Sequence, residues 1–188
     1  DAPTASALRR YLAEFLADTR VIEIPKSIWM LILHGIILRV RPKKSAAKYA
    51  TVWTDEGSPL LAISKRQAAA VQAELGESAK VKLGMRYGNP SIQKALREFQ
   101  HEGVRKIIVL PMYPQYAAAT TGSSFDAVAR ELQKWRFVPE LHFMNSYCDN
   151  PLFIDALAAS IQEDFNQHGK PEKLLLSYHG MPKRNLEL

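Results

Sequence analysis

The feature that most constrains this chain is an alternation, from about residue 81 onward, of short continuous apolar runs with longer amphipathic stretches. Residues 81–85, 106–112, 141–145 and 174–178 read as strands; the second contains Ile107-Ile108-Val109-Leu110 and the last Leu174-Leu175-Leu176. Between them, residues 91–102, a stretch from Thr121 or Ser123 to Lys134, and residues 151–168 read as helices. Gly103 and Gly169 follow the first and last of these, where a residue with left-handed freedom ends a helix. A strand that is apolar along its whole length has to be buried on both faces, so the pattern predicts an α/β fold, a parallel sheet between two layers of helices. Its crossovers are expected to be right-handed.

The first third of the chain is different. Leu8, Tyr11, Leu12, Phe15 and Leu16 fall on one face of a helix opened by Thr4. Residues 21–24 form a short extended piece ended by Pro25, and residues 28–38 and 43–53 read as two further helices. Ser58 and Pro59 open another, which runs to about Glu74 and stops at Gly76.

Charge sharpens the reading of residues 28–38. The net charge of +6 is uneven: no acidic residue lies between Glu23 and Asp55, while Lys26, Arg39, Arg41, Lys43, Lys44 and Lys48 are basic. Eleven apolar-rich residues at about 1.5 Å each cover roughly 16 Å, too little to span a bilayer core of about 30 Å. Three roles stay open: a core helix with a basic exit, a helix resting on anionic headgroups, or a greasy lip that admits an apolar ligand. With 47% apolar and 23% charged residues the chain can bury a core, and its one cysteine, Cys148, excludes an internal disulfide. The sequence opens without an initiator Met or a signal-like segment and stops soon after the last strand, so a piece of a longer protein is expected.

Parallel sheets of this class place ligands beyond the carboxyl ends of their strands. The segments there are Arg86-Tyr87-Gly88-Asn89-Pro90, Tyr113-Pro114-Gln115-Tyr116, Ser146-Tyr147 and Tyr178-His179-Gly180-Met181-Pro182. A rim rich in tyrosine and containing arginine suits a flat, largely apolar ligand with acidic groups, since aromatic faces cover a plane and a guanidinium pairs with a carboxylate. His179 is the sharpest candidate: an imidazole at a strand end accepts a proton or binds a borderline metal ion, or else simply holds a structural hydrogen bond. Thr120-Thr121-Gly122-Ser123-Ser124 opens a helix, where amides and hydroxyls hold an anion or merely cap the helix. No GxxxxGK[ST] or GxGxxG motif occurs, which argues against ATP or NAD as ligands of this segment.

Several of these segments together resemble one family, the ferrochelatases of bacterial type. The resemblance is carried by Asp1-Ala2-Pro3, Arg10-Tyr11-Leu12 through Phe15-Leu16 with Asp18 and Arg20-Val21, Gly57-Ser58-Pro59-Leu60, Gly84-Met85-Arg86-Tyr87-Gly88-Asn89-Pro90, Leu110-Pro111-Met112-Tyr113-Pro114-Gln115-Tyr116, Thr120-Thr121-Gly122-Ser123 and Leu176-Ser177-Tyr178-His179-Gly180-Met181-Pro182, in family order from end to end. It implies a chelatase-like fold of two Rossmann-like domains with a porphyrin cleft between them. Residues 1–170 would form the first domain without its first strand, and residues 171–188 would open the second. The activity implied is insertion of ferrous iron into protoporphyrin IX to form protohaem, with Fe2+ as substrate. His179 would be the catalytic and metal-site histidine. Arg86, Tyr87, Tyr116, Thr120, Thr121 and Ser123 would line the porphyrin, and Trp29, Met30 and Leu33 would form the lip that grips it. A cytoplasmic protein touching the inner membrane peripherally is implied too.

Two departures qualify this. Ala117-Ala118-Ala119 stands where many members carry small polar residues, and the glutamate that members place opposite the histidine would lie beyond Leu188. Cysteines for an iron–sulfur cluster, found in some members, would lie there as well. Other readings use the same cleft: a module that binds porphyrin, haem or metal without turnover, or a related cobalt chelatase or periplasmic metal-binding relative. Nucleic acid is a poor partner, because a charge of +6 is modest and no recognition motif is present.

Overall fold

The computed structural model describes residues 3–182. Among the described residues two cores form, one around α1 and one around the sheet.

The first unit starts at α1 (Ala5–Leu16), whose opening Thr4 hydroxyl accepts the Ala7 amide at 3.2 Å, the local bond that such a cap supplies. Helices α2 (Lys26–Ile32) and α3 (Leu38–Ala50) follow, joined by a π-helical turn (Leu33–Ile37). The two separate helices expected from the sequence are thus one continuous helical run. Pro42 was the natural place for a break, yet it lies buried inside α3, so tertiary packing carries the helix past the missing amide. Leu12 and Leu16 of α1 pack with Leu33 and Leu38 into one core, flanked by Trp29, Met30 and Phe15. The Trp29 indole donates to the Leu16 carbonyl at 2.6 Å, satisfying an acceptor that the end of α1 would otherwise leave unpaired.

Helix α4 (Pro59–Leu75) leads toward the second unit. There α5 (Ile92–His101) and α6 (Ser123–Leu132) pack on a sheet of β1 (Lys106–Val109) and β2 (Glu140–Phe143). The strands are parallel, with Ile107 opposite Leu141 and Val109 opposite Phe143. A second π-helical turn (Ala118–Gly122) and α6 make the crossover between them. Leu96, Ile107, Val128, Leu132 and Trp135 form the core here. Helix α7 (Pro151–His168) closes the order of elements, and the Leu152 amide donates to the Asn150 side chain at 3.0 Å.

The strands at 106–112 and 141–145 are therefore present in shorter form, and the helices expected at 91–102, after Thr121, and at 151–168 are all present. Two expected strands are corrected. Residues 81–85 and 174–178 are not in a sheet: among the described residues β1 and β2 pair with each other alone. An extended segment becomes a strand only when a neighbour completes its ladder. The Val81 amide instead donates to the Gln72 side chain at 2.8 Å, and Met85 makes a lone bridge to Ser91. Leu175 stands 89% exposed, so the apolar run at 174–176 meets no core here. Of the segment expected to open a second domain, residues 183–188 lie outside the described residues, as do Asp1 and Ala2. Among the described residues no helix is long and apolar enough to cross a membrane.

Candidate functional site

Three stretches far apart in sequence converge on one carboxylate. Where α1 ends, Asp18 turns inward, and its side chain is only 6% exposed. Its Oδ2 accepts from the Arg86 guanidinium, from the Tyr87 hydroxyl at 2.8 Å and from the Ser123 hydroxyl at 2.5 Å. The Arg20 amide donates to Oδ1 at 2.9 Å. Arg86 also donates through Nε to the Ser123 carbonyl at 2.9 Å and hydroxyl at 2.6 Å. Burial pushes the Asp18 carboxyl up, but the bonds from Ser123, the Arg20 amide and Tyr87, with the charge of Arg86, outweigh it and hold the carboxyl below its ordinary value. Burial pushes the Tyr87 phenol up, so it stays a protonated donor facing a charged acceptor.

Aromatic packing fixes the same loop from its other side. The Tyr87 ring meets Phe15 edge-on at 5.2 Å and Tyr11 at 6.3 Å, while the Arg86 guanidinium lies 4.3 Å from the Tyr87 ring centre. The Gly88 amide donates to Glu14 at 3.0 Å. Helix α1 thus presents Leu12 and Leu16 to the π-turn helices and Tyr11 and Phe15 to the loop at 86–88.

A second ion pair crosses the same seam. Arg20 reaches Asp126 of α6 through Nε at 2.5 Å and Nη2 at 2.9 Å. Its path runs over Gly122, where an added Cβ would sit 3.0 Å from the guanidinium and 3.1 Å from the Tyr116 hydroxyl. Glycine is needed there for close approach, not for an unusual backbone angle. Ser124 in turn donates to the Thr120 carbonyl at 2.9 Å, tying the start of α6 to the π-helical turn.

Of the residues singled out from the sequence, Arg86, Tyr87 and Ser123 are brought together, with Thr120 and Thr121 in the adjoining turn and Tyr116 just before it. Tyr116 is 49% exposed, whereas Thr121 is fully buried and its hydroxyl has no hydrogen-bond partner among the described residues. Arg86 does pair with a carboxylate, but it is the one this chain supplies. Trp29 and Met30 are half-buried against the α1 core. Leu33, at 0% exposure, lies at the centre of that core, and the outward residues of the same helical run are Ile28, Leu31, Ile36 and Val40. An apolar run shows no periodicity that separates the two faces, so only the packing of α1 decides. His179 stands exposed in an extended segment, its Nδ1 directed at the Gly180 carbonyl at 2.8 Å. No hydrogen bond joins it to the Asp18 cluster among the described residues. Among those residues, too, no three His, Cys, Asp or Glu side chains gather to hold a metal ion. Asp18, Arg20 and Asp126 are what sequence reasoning missed as site residues.

Comparison with known proteins places these residues in a family context. The ferrochelatase family model matches residues 1–188. The chain is 64% identical over 191 residues to "Ferrochelatase 2" of Shewanella oneidensis, covering 100% of this chain and 58% of that protein. It is 57% identical over 197 residues to a ferrochelatase of Shewanella denitrificans, covering 100% of this chain and 58% of the relative. A ferrochelatase of Thioalkalivibrio sulfidiphilus is 54% identical over 190 residues, 99% of this chain and 52% of the relative. The chain spans little more than half the length of the relatives it matches.

Proposed function

The chain belongs to the ferrochelatase family, and from that premise we propose that the complete protein inserts ferrous iron into protoporphyrin IX. In this reading residues 1–170 are the first of two Rossmann-like, three-layer domains, residues 171–188 open the second, and the porphyrin lies between them. The observation that carries the reading is the meeting of the 86–88 loop with the start of α6 at Ser123, which brings two of the segments that carry the family likeness to one place.

The reaction exchanges two pyrrole N–H protons for one divalent ion, so a base has to face the ring while the ring is held. His179 is assigned that base and the metal contact. A carbonyl oxygen only accepts, so the Nδ1 that points at Gly180 carries a hydrogen, and in the neutral ring that leaves the lone pair on Nε2. Tyr116 and Thr120 are assigned to the cleft wall. Arg86, Tyr87 and Ser123, sealed by Asp18, shape that wall from behind. Binding energy gathered at the edges of a tightly held macrocycle can then be spent on bending it toward the metal. The test is anaerobic addition of ferrous iron to protoporphyrin with the complete protein: conversion of the free-base spectrum to that of the metalloporphyrin is expected, and no conversion where a control ferrochelatase works would overturn the reading.

The outward apolar residues of α2, the π turn and α3 fit a cytoplasmic protein that rests on the inner membrane. Leu31 is 77% exposed and Ile36 60%, with Arg39, Arg41, Lys43 and Lys44 close behind in sequence. Apolar side chains beside basic ones suit an anionic lipid surface. Co-sedimentation of the complete protein with vesicles containing anionic lipid is expected to weaken several-fold in Leu31→Gln. Equal binding by the two proteins, or none by either, would contradict membrane contact through this face.

A further inference from the structure

We propose that Asp18 is a positioning residue of the porphyrin site, setting the Arg86–Tyr87 pair through a single carboxylate oxygen. The inference rests on the chelatase reading above, in which the loops at 86–88 and 116–123 border the cleft. Three donors from two distant segments, Arg86, Tyr87 and Ser123, end on Asp18 Oδ2, and a fourth, the Arg20 amide, takes Oδ1. Oδ2 is thereby saturated, and Oδ1 keeps room for one more donor. Side-chain exposure of 6% for Asp18 and 11% for Arg86 leaves water little part in the arrangement.

The chemistry follows from charge as much as from shape. With Asp18 in place, Arg86 is neutralised, directed at Ser123 and stacked on Tyr87 at 4.3 Å. A wall built this way offers an apolar ring an ordered surface without an unpaired cation. Asparagine at position 18 keeps the volume but brings an NH2 that cannot accept and removes the countercharge. Arg86 then turns toward other anions, including the carboxylates of the porphyrin, and draws the ring out of register. Arg20, two residues on, pairs with Asp126 across the same seam and keeps the backbone in place, so the expected defect lies in orientation and not in folding.

The experiment compares wild type, Asp18→Asn, Arg86→Gln and the double variant in the complete protein, by steady-state metal insertion and thermal melting. Asp18→Asn is expected to melt within a few degrees of wild type, lose about tenfold or more in kcat/KM and raise KM for porphyrin while KM for iron stays put. The split between the two substrates is what loss of folded protein alone would not produce. Because Asp18 acts through Arg86, the double variant is expected to match the worse single variant within about twofold. Losses that multiply, or near-wild-type kinetics in Asp18→Asn, would overturn the proposal. Should Asp18→Asn fail to fold, Tyr87→Phe and Ser123→Ala each remove one donor to the same oxygen, and their combination is to cost no more than the larger single loss; independent losses would again overturn it. A wild-type protein without chelatase activity sinks the underlying reading, whereas an active wild type with an indifferent Asp18→Asn sinks this inference alone.

Discussion

Replacing His179 with alanine in the complete protein is expected to lower metal insertion by about 10²–10⁴-fold, the usual contribution of a positioned general base. The loss should come without loss of fold. Residues 171–180 are exposed in this structure, and the ring of His179 meets a backbone carbonyl and no core residue, so its removal leaves no cavity. Spectrophotometric turnover with ferrous iron measures the first effect and thermal melting the second. Near-normal turnover would reject His179 as base and metal contact. A collapse in melting temperature would instead make it a structural residue whose partners lie elsewhere in the protein.

The second large effect concerns stability. Leu33→Ala is expected to cost about 2–5 kcal/mol, because a fully buried leucine leaves both lost transfer energy and a cavity among Leu12, Leu16 and Leu38. Leu31→Ala, two residues away on the outward face, should change stability by no more than about 0.5 kcal/mol. Urea unfolding of the two variants beside wild type reads the contrast. Equal costs would mean that the α1 core is not packed as described, and a negligible cost at Leu33 would return that residue to the lip.

That pair of neighbours also shows where sequence reading stops. The apolar run at 28–38 was legible as helix from composition, but both Leu31 and Leu33 are simply leucine until α1 lies across one of them. Helices with their own local signals were read well: Thr4 ahead of α1, Ser58 and Pro59 at the start of α4, and Gly76 and Gly169 at the ends of α4 and α7. The strands β1 and β2 were legible because each brings its partner into the same described stretch. Residues 81–85 and 174–178 carry equally apolar sequence, but a ladder is a property of two segments and not of one.

The Asp18 cluster was illegible for a different reason. Arg86 and Tyr87 were picked out by chemistry, yet the residue that orients them lies 68 and 69 positions earlier, and Ser123 lies 105 positions after it. Nothing local marks an aspartate after a helix as anything but a solvated turn. Its burial, and the second pair from Arg20 to Asp126, exist only once α1, the 86–88 loop and α6 meet. In this structure the carboxylate that Arg86 meets is the chain's own Asp18.

The structure of the complete protein with a metalloporphyrin bound tests most directly whether these loops surround one tetrapyrrole. The account expects the ring plane within contact of His179 on one face and beside Tyr116 and Thr120, with Arg86 still turned away onto Asp18. A ring bound on any other surface, or an Arg86 released from Asp18 to grip the ring's carboxylates, would contradict it.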